Sequence, residues 1–431
     1  MKPLTFGARA RSDVVFAYAG AALAALLVLL GWMAARPDLA LRPAESGLAA
    51  FGLLHLDVLG WITMTMFGTS FNLVPVILHP ARLPAGAGRR LLIPYAVGVG
   101  LFVLGFARAE APFLAAGGTL VASVLLAHAA LWIRAVGPIL KSDAGRLPTA
   151  WAFALAPVFL AETAILGLVM ALALAGLLPG RFVAMAPIHM AAAIGGWLGM
   201  VVVGAAYRLI PLFFATERGH EDDRFGRPAV AALAVAVVAT QLAHVGASWA
   251  TGLAWAAALA GVAAFGMDIV RMVRHRAHRK REPVTVLTVA ALAHGLAAVL
   301  TVIAGEMGAA PPGWPVLALY LGLFAAPTLL IVGQLSRILV FLTTLDLAEW
   351  ARDHNEPRRT WNVSRPRLSY AGYILLQAGI LGLATAMVAG RPLQDALARP
   401  AALLQLAGGI GSVAALWPTF ATRRHMRERE A

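Results

Sequence analysis

His55-Leu-Asp57-Val-Leu-Gly60-Trp61-Ile-Thr-Met64-Thr-Met-Phe-Gly68-Thr-Ser-Phe71-Asn-Leu73-Val74-Pro75 is apolar and long enough to cross a bilayer as a helix. It carries a histidine and an aspartate near its start, where apolar residues would cost less. The pattern returns 136 residues later as Gly196-Trp197, Met200, Gly204, Tyr207 and Leu209-Ile210-Pro211. Each copy has a histidine just upstream, His55 and His189.

Composition sets the setting for these two stretches. Of 431 residues, 60% are hydrophobic and 13% charged, which excludes an ordinary soluble domain and indicates a polytopic membrane protein. There is no cysteine, so disulfides, Cys-ligated zinc, iron–sulfur clusters and thiolate chemistry are excluded. The net charge of +14 could suggest nucleic acid, but the basic residues sit in short loops between apolar runs. The first apolar run lacks an A-x-A-like cleavage site and reads as a retained span.

Twelve apolar spans follow one another, at about 13–35, 47–78, 91–107, 111–135, 150–178, 183–214, 228–249, 251–271, 284–305, 315–345, 368–389 and 400–420. The links between spans 3 and 4 and between spans 7 and 8 are short enough to make those pairs the hardest to count. Lys and Arg divide 27 to 6 between the two sets of loops, which predicts both termini in the cytoplasm and a multi-pass inner-membrane protein. The basic run from Arg271 to Arg281, with His275 and His278, reads as an anchor on anionic lipid rather than a metal site.

A weaker third copy aligns Gly333-Gln-Leu-Ser-Arg337 with Gly204-Ala-Ala-Tyr-Arg208. The copies occupy spans 2, 6 and 10. The expected fold is therefore an all-α bundle of twelve helices in three pseudo-symmetric arcs of four, forming one transmembrane domain, with arcs near 13–135, 150–271 and 284–420. Small residues also recur in packed membrane helices without any repeat.

Ionisable groups inside the bilayer are candidates for function by default. With the orientation above, His55, Asp57, His189 and His244 fall in the outer layer. Imidazole is the common ligand for haem iron, copper and zinc, and facing helices of a bundle can build such a site. Relative to the Gly-Trp pair, His55 and His189 differ by two residues, about 200° of helix rotation, so they point to different sites or different roles. For His128 and His294 a packing role is expected. Glu162 is placed to relay protons or to hydrogen-bond its neighbours. Arg208 and Arg337 occupy matching positions suited to snorkelling or to an anionic group. Tyr320 reads as a member of an interfacial aromatic belt.

Twelve spans in three arcs, with histidines on spans 2, 6 and 7, resemble subunit I of the haem–copper oxidase superfamily, which includes the large subunits of bacterial nitric oxide reductases. The chain is similar also to the NnrS-type membrane proteins linked to nitric oxide stress. The resemblance covers most of the chain as architecture and chiefly spans 2, 6 and 7 as motif. It implies His55 as an axial ligand of haem b, and His189 and His244 as ligands of copper or non-haem iron. The chain departs from the family where Ala243 and Val245 flank His244, where Ala193 follows His189 by one turn, and where span 10 has no histidine and offers only Tyr320. The standard two-haem arrangement is thereby lost.

Three functions follow as expectations. The first is a haem- or copper-binding membrane protein, an oxidoreductase if an enzyme, acting on or responding to nitric oxide or oxygen and served by an electron donor or partner subunit. The second is a twelve-span secondary transporter, suggested by the repeat, Glu162 and the paired arginines. The third is a non-catalytic membrane subunit or assembly factor. No loop is long enough for a soluble catalytic domain, and no nucleic-acid module or phosphate-cradling loop is present.

Overall fold

The computed structural model describes residues 7–79, 81–214, 224–275, 282–354 and 363–429. His278 lies outside the described residues. Twelve helices are long and apolar enough to cross a membrane: Ser12–Ala35, Leu48–Ile77, Ala85–Arg108, Ala111–Lys141, Pro148–Leu174, Gly180–Leu212, Gly226–His244, Trp249–Arg274, Pro283–Glu306, Trp314–Asp353, Pro366–Val388 and Arg391–Glu428, numbered here spans 1 to 12. No strand occurs among the described residues. The chain is an all-α polytopic membrane protein.

The two doubtful links separate cleanly into helices. Span 3 stops because Ala109 takes left-handed backbone geometry at φ 55°, after which the Glu110 N–H closes onto the Gly105 carbonyl at 3.0 Å. Gly246, at φ 104°, turns the chain between spans 7 and 8, a conformation that disfavours any side chain.

Packing divides the chain into two compact units, Met1–Gly68 with Arg281–Ala431, and Thr69–Lys280. One boundary of the division falls inside span 2.

Within the units, glycine sets how closely helices approach. A Cβ on Gly117 of span 4 would collide with the backbone of Phe102 in span 3, its Cα only 2.6 Å away. Gly105 returns the contact against the Leu114 nitrogen at 2.6 Å. Spans 11 and 12 meet through Gly372, Gly379 and Gly408 in the same manner. In a bilayer, where apolar burial drives little association between helices, such backbone approach is a main source of packing attraction.

The repeated motif has a repeated structure. Spans 2, 6 and 10 each widen into a π-helical stretch, at Leu56–Thr63, Ala191–Gly199 and Tyr320–Ala325. The sequence offset of 136 places the first stretch on the second, and the 129-residue offset from Gly204 to Gly333 places the second on the third. The π-helix is rare and appears mostly as local widenings, often at functional sites. The glycine eight residues after Gly60 also has one role in all three copies. Gly68 admits Tyr18 of span 1, Gly204 admits Phe153 of span 5, and Gly333 admits Leu287 of span 9. Each repeat-bearing span thus receives a large side chain from the span that precedes it.

Candidate functional site

In the first unit, the π-helical stretch of span 2 places His55 and Asp57 at its start. The register positions His55 and Tyr320 equivalently, because Tyr320 opens the stretch in span 10. His55 is half-buried, and its Nδ1 lies 2.7 Å from the Phe51 carbonyl oxygen. Asp57 is buried at 4% exposure, and its Oδ1 has no hydrogen-bond partner. Four residues on, Trp61 is fully buried and its Nε1 donates to Thr328 Oγ1 at 3.2 Å, which holds spans 2 and 10 in register.

Tyr320 faces the interior of the bundle. It is buried, stacks on Phe324, and its hydroxyl accepts a 2.7 Å bond from Gln405 Nε2 of span 12. The expectation of a belt aromatic gives way to a bundle-interior residue, because span 12 supplies an amide partner that no local pattern around Tyr320 announces. Gln405 itself is a polar residue in an otherwise apolar run, Ala401 to Ala407, and that was its available signal.

In the second unit, His189 is half-buried and its Nδ1 lies 3.1 Å from the Thr163 carbonyl oxygen of span 5. His244 is exposed at the end of span 7, with Nδ1 2.8 Å from the Thr240 carbonyl oxygen. Glu162 accepts a 2.8 Å bond from Gln241 Nε2. Glu162 and Thr163 are adjacent, so span 5 carries both a carboxylate held by span 7 and the carbonyl that holds His189.

A carbonyl oxygen can only accept, so the proton on His55, His189 and His244 is at Nδ1 and the lone pair at Nε2. The two histidines expected to pack behave differently. His128 is fully buried, with Nε2 3.3 Å from Ser70 Oγ and its ring edge-on to Phe71 and Trp132. His294 is buried and its Nε2 accepts from Gln377 Nε2 at 2.9 Å.

The matching arginines have separate surroundings. Arg337 pairs with Glu282 at 2.7 Å, both side chains well exposed, whereas Arg208 is half-exposed on span 6. Beside Arg208, Tyr207 is buried and its hydroxyl donates to Asp268 of span 8 at 3.0 Å. Asp268 is an intramembrane carboxylate visible in the sequence Gly-Met-Asp-Ile-Val-Arg, masked there by the adjoining basic run.

A cluster not evident from the sequence ties the first unit together. Arg423 of span 12 pairs with both Asp346 of span 10 and Asp13 of span 1, and its guanidinium lies 4.2 Å from the ring centroid of Phe16. Ser12 Oγ donates to Asp346 at 2.9 Å, and Arg427 reaches Asp13 at 2.7 Å. Arg423 lies 77 positions from Asp346 and 410 from Asp13, so no local spacing rule could join them.

A metal or haem iron needs an imidazole nitrogen with a lone pair and room to approach. His55, His189 and His244 each meet the first requirement, and none is fully buried. Among the described residues no three His, Asp or Glu side chains gather as a metal-binding group. Among the described residues, then, His55, His189 and His244 do not come together as one three-ligand group. No family model matches the chain, and no curated protein matches it with significant similarity.

Proposed function

We propose that this chain is an integral membrane protein that holds haem through His55, in the manner of the oxidase and nitric oxide reductase large subunits that it resembles. The observation that supports this is the anchoring of His55. Its Nδ1 hydrogen is fixed on the Phe51 carbonyl, which sets the ring plane and directs Nε2 as the ligating atom. Metal-ligating histidines commonly fix their other nitrogen in this way. His189 and His244, anchored alike on separate carbonyls, are the candidates for copper or non-haem iron. Bound haem iron would supply a position for a diatomic ligand, nitric oxide or oxygen. The chain's own contribution is to orient the imidazole through the Phe51 carbonyl. With the loop charge bias, His55 lies toward the non-cytoplasmic side of an inner membrane, where an electron donor or partner subunit would reach it.

A second reading, a transporter or non-catalytic subunit, draws on two observations. Asp57 is buried without a partner for Oδ1, and Glu162 is bonded to Gln241 within the spans. Intramembrane carboxylates of this kind mark ion and proton paths.

Detergent-purified protein, expressed with haem precursor supplied, separates the readings by its absorbance before and after dithionite. The haem reading expects a Soret band that shifts on reduction and on adding nitric oxide, retained in His244→Ala and lost in His55→Ala. A folded protein with no Soret band overturns it and favours the second reading.

A further inference from the structure

Beside the Arg423 cluster a cavity of about 420 Å³ opens between the start of span 1 and the end of span 12, wholly within the first unit. That volume suits a small ligand or a headgroup. Its lining is layered. Phe16 and Phe420 form the deeper part, and Asp13, Arg424, Arg427 and Glu428 form the rim. The two helices run in opposite directions here, which builds the layers. Along span 12, Arg424 lies four residues, about 6 Å, beyond Phe420 toward the helix end. Along span 1, Phe16 lies three residues inward of Asp13. The cavity therefore straddles the level at which apolar sequence gives way to charge, where hydrocarbon meets headgroups in a bilayer. Ala17, also on its wall, is exposed, so the deeper layer opens toward lipid.

The charges at the rim are paired but not used up. Arg424 donates through Nε to Glu428 Oε1 at 2.7 Å, which leaves both of its Nη groups. Arg427 donates through Nη2 to Asp13 Oδ1 at 2.7 Å, which leaves Nε and Nη1. Arg423 reaches the same Asp13 Oδ1, so Asp13 Oδ2 is still open, as is Glu428 Oε2. Among the described residues nothing else bonds these four side chains. Arg423 and Asp346 form a closed pair behind them, each at 8% exposure. The rim thus offers two guanidiniums with spare N–H groups and two carboxylates with spare oxygens, and it has no net charge. A lone anion would unbalance it, whereas a ligand that carries both signs would not. Guanidinium N–H groups match phosphate oxygens, often two at a time. A spare carboxylate oxygen asks for a donor, which a primary ammonium has and a quaternary one lacks. The apolar layer below asks for a hydrocarbon chain.

We propose that this cavity holds the headgroup of a phospholipid that bears a phosphate and a primary ammonium, a phosphatidylethanolamine by chemical class. The phosphate takes the spare N–H groups of Arg424 and Arg427. The ammonium donates to Glu428 and Asp13, and the acyl chains lie along Phe16, Ala17 and Phe420. A lipid so held bridges the first and last spans of the chain. The site does not depend on the haem reading.

Native mass spectrometry tests this on the full-length protein, released from micelles that contain equal amounts of phosphatidylethanolamine, phosphatidylglycerol and phosphatidylcholine with the same acyl chains. The expected result is a single phosphatidylethanolamine retained in preference to the other two. Retention falls about fivefold in Arg424→Gln/Arg427→Gln, the scale of two exposed charged contacts. It is unchanged in Arg36→Gln, which removes an exposed guanidinium from the far end of span 1. If the double variant does not fold, Arg424→Gln alone carries the comparison, because that side chain is 82% exposed. Glycerophosphoethanolamine, the same headgroup without chains, should not displace the lipid at matched concentration. Phosphatidylglycerol or phosphatidylcholine held as well as phosphatidylethanolamine overturns the proposal, since the primary ammonium would then have no role. Equal retention by the wild type and the arginine variants overturns it as well, and displacement by the chain-free headgroup overturns the membrane as its source.

Discussion

Replacing Arg423 with leucine should loosen the end of the first unit where spans 1, 10 and 12 meet. Arg423 and Asp346 each retain only 8% side-chain exposure, so their pair is shielded from water. Removing one partner of such a pair leaves an uncompensated charge and costs about 3–5 kcal/mol. Two contacts temper the loss. Ser12 still donates to Asp346 at 2.9 Å, and Arg427 still reaches Asp13 at 2.7 Å. Leucine also keeps apolar contact with Phe16, whose ring edge packs on Phe420 at 5.3 Å between centroids. The lower end of the range, about 3 kcal/mol, is therefore the expected loss. Thermal unfolding in detergent, followed by tryptophan fluorescence, should show a clear fall in midpoint for Arg423→Leu. The double variant Asp346→Asn/Arg423→Leu removes the orphaned charge and should recover much of the loss. A wild-type midpoint for Arg423→Leu, or a double variant no better than the single, would refute the assignment of a buried, energetically coupled pair.

Gly117→Ala should force spans 3 and 4 apart, because the new methyl meets the Phe102 backbone rather than a side chain that could swing aside; the expected cost is about 1–3 kcal/mol, read as a lowered unfolding midpoint, with Gly100→Ala, where nothing lies within 4 Å, as the neutral control. In the link after span 1, the Arg36 hydrogen bond holds the Asp38 carboxyl below the usual carboxylate range. A depressed acid contributes stability that is present above its unfolded value, about 3.9, and is lost as pH falls through the folded one. The small stability difference between the wild type and Arg36→Ala should accordingly vanish on acidification below that range, which a pH series of unfolding midpoints would reveal.

Much of the architecture was legible in the chain because a bilayer imposes its own length. Twelve apolar runs became twelve helices, since backbone groups in lipid must pair within their own segment. The Gly-Trp repeat was legible as a motif, and its meaning is mechanical as well as historical. Gly196 lies against Phe159, Gly204 against Phe153, and Trp197 packs edge-on to Trp132. Sequence could not show that each copy widens into a π-helix, because that depends on hydrogen bonds skipping one residue in place. Individual polar groups were visible, but not their partners. Asp57 stood out as a costly residue, and Gln405 meets Tyr320 only through the packing of span 12. Arg423 looked like one more basic residue of a cytoplasmic tail. Its burial against Asp13 and Asp346 arises from the meeting of chain segments 410 and 77 residues away from it. Local patterns carry no information about such pairings.

The central claim concerns His55 and is tested most directly by iron content and absorbance measured together on one purified sample. The account predicts about one haem iron per chain, a Soret band that responds to dithionite, and loss of both in His55→Ala while the helical circular dichroism is unchanged. Protein that is folded and free of iron, or haem that remains fully bound in His55→Ala, would contradict it.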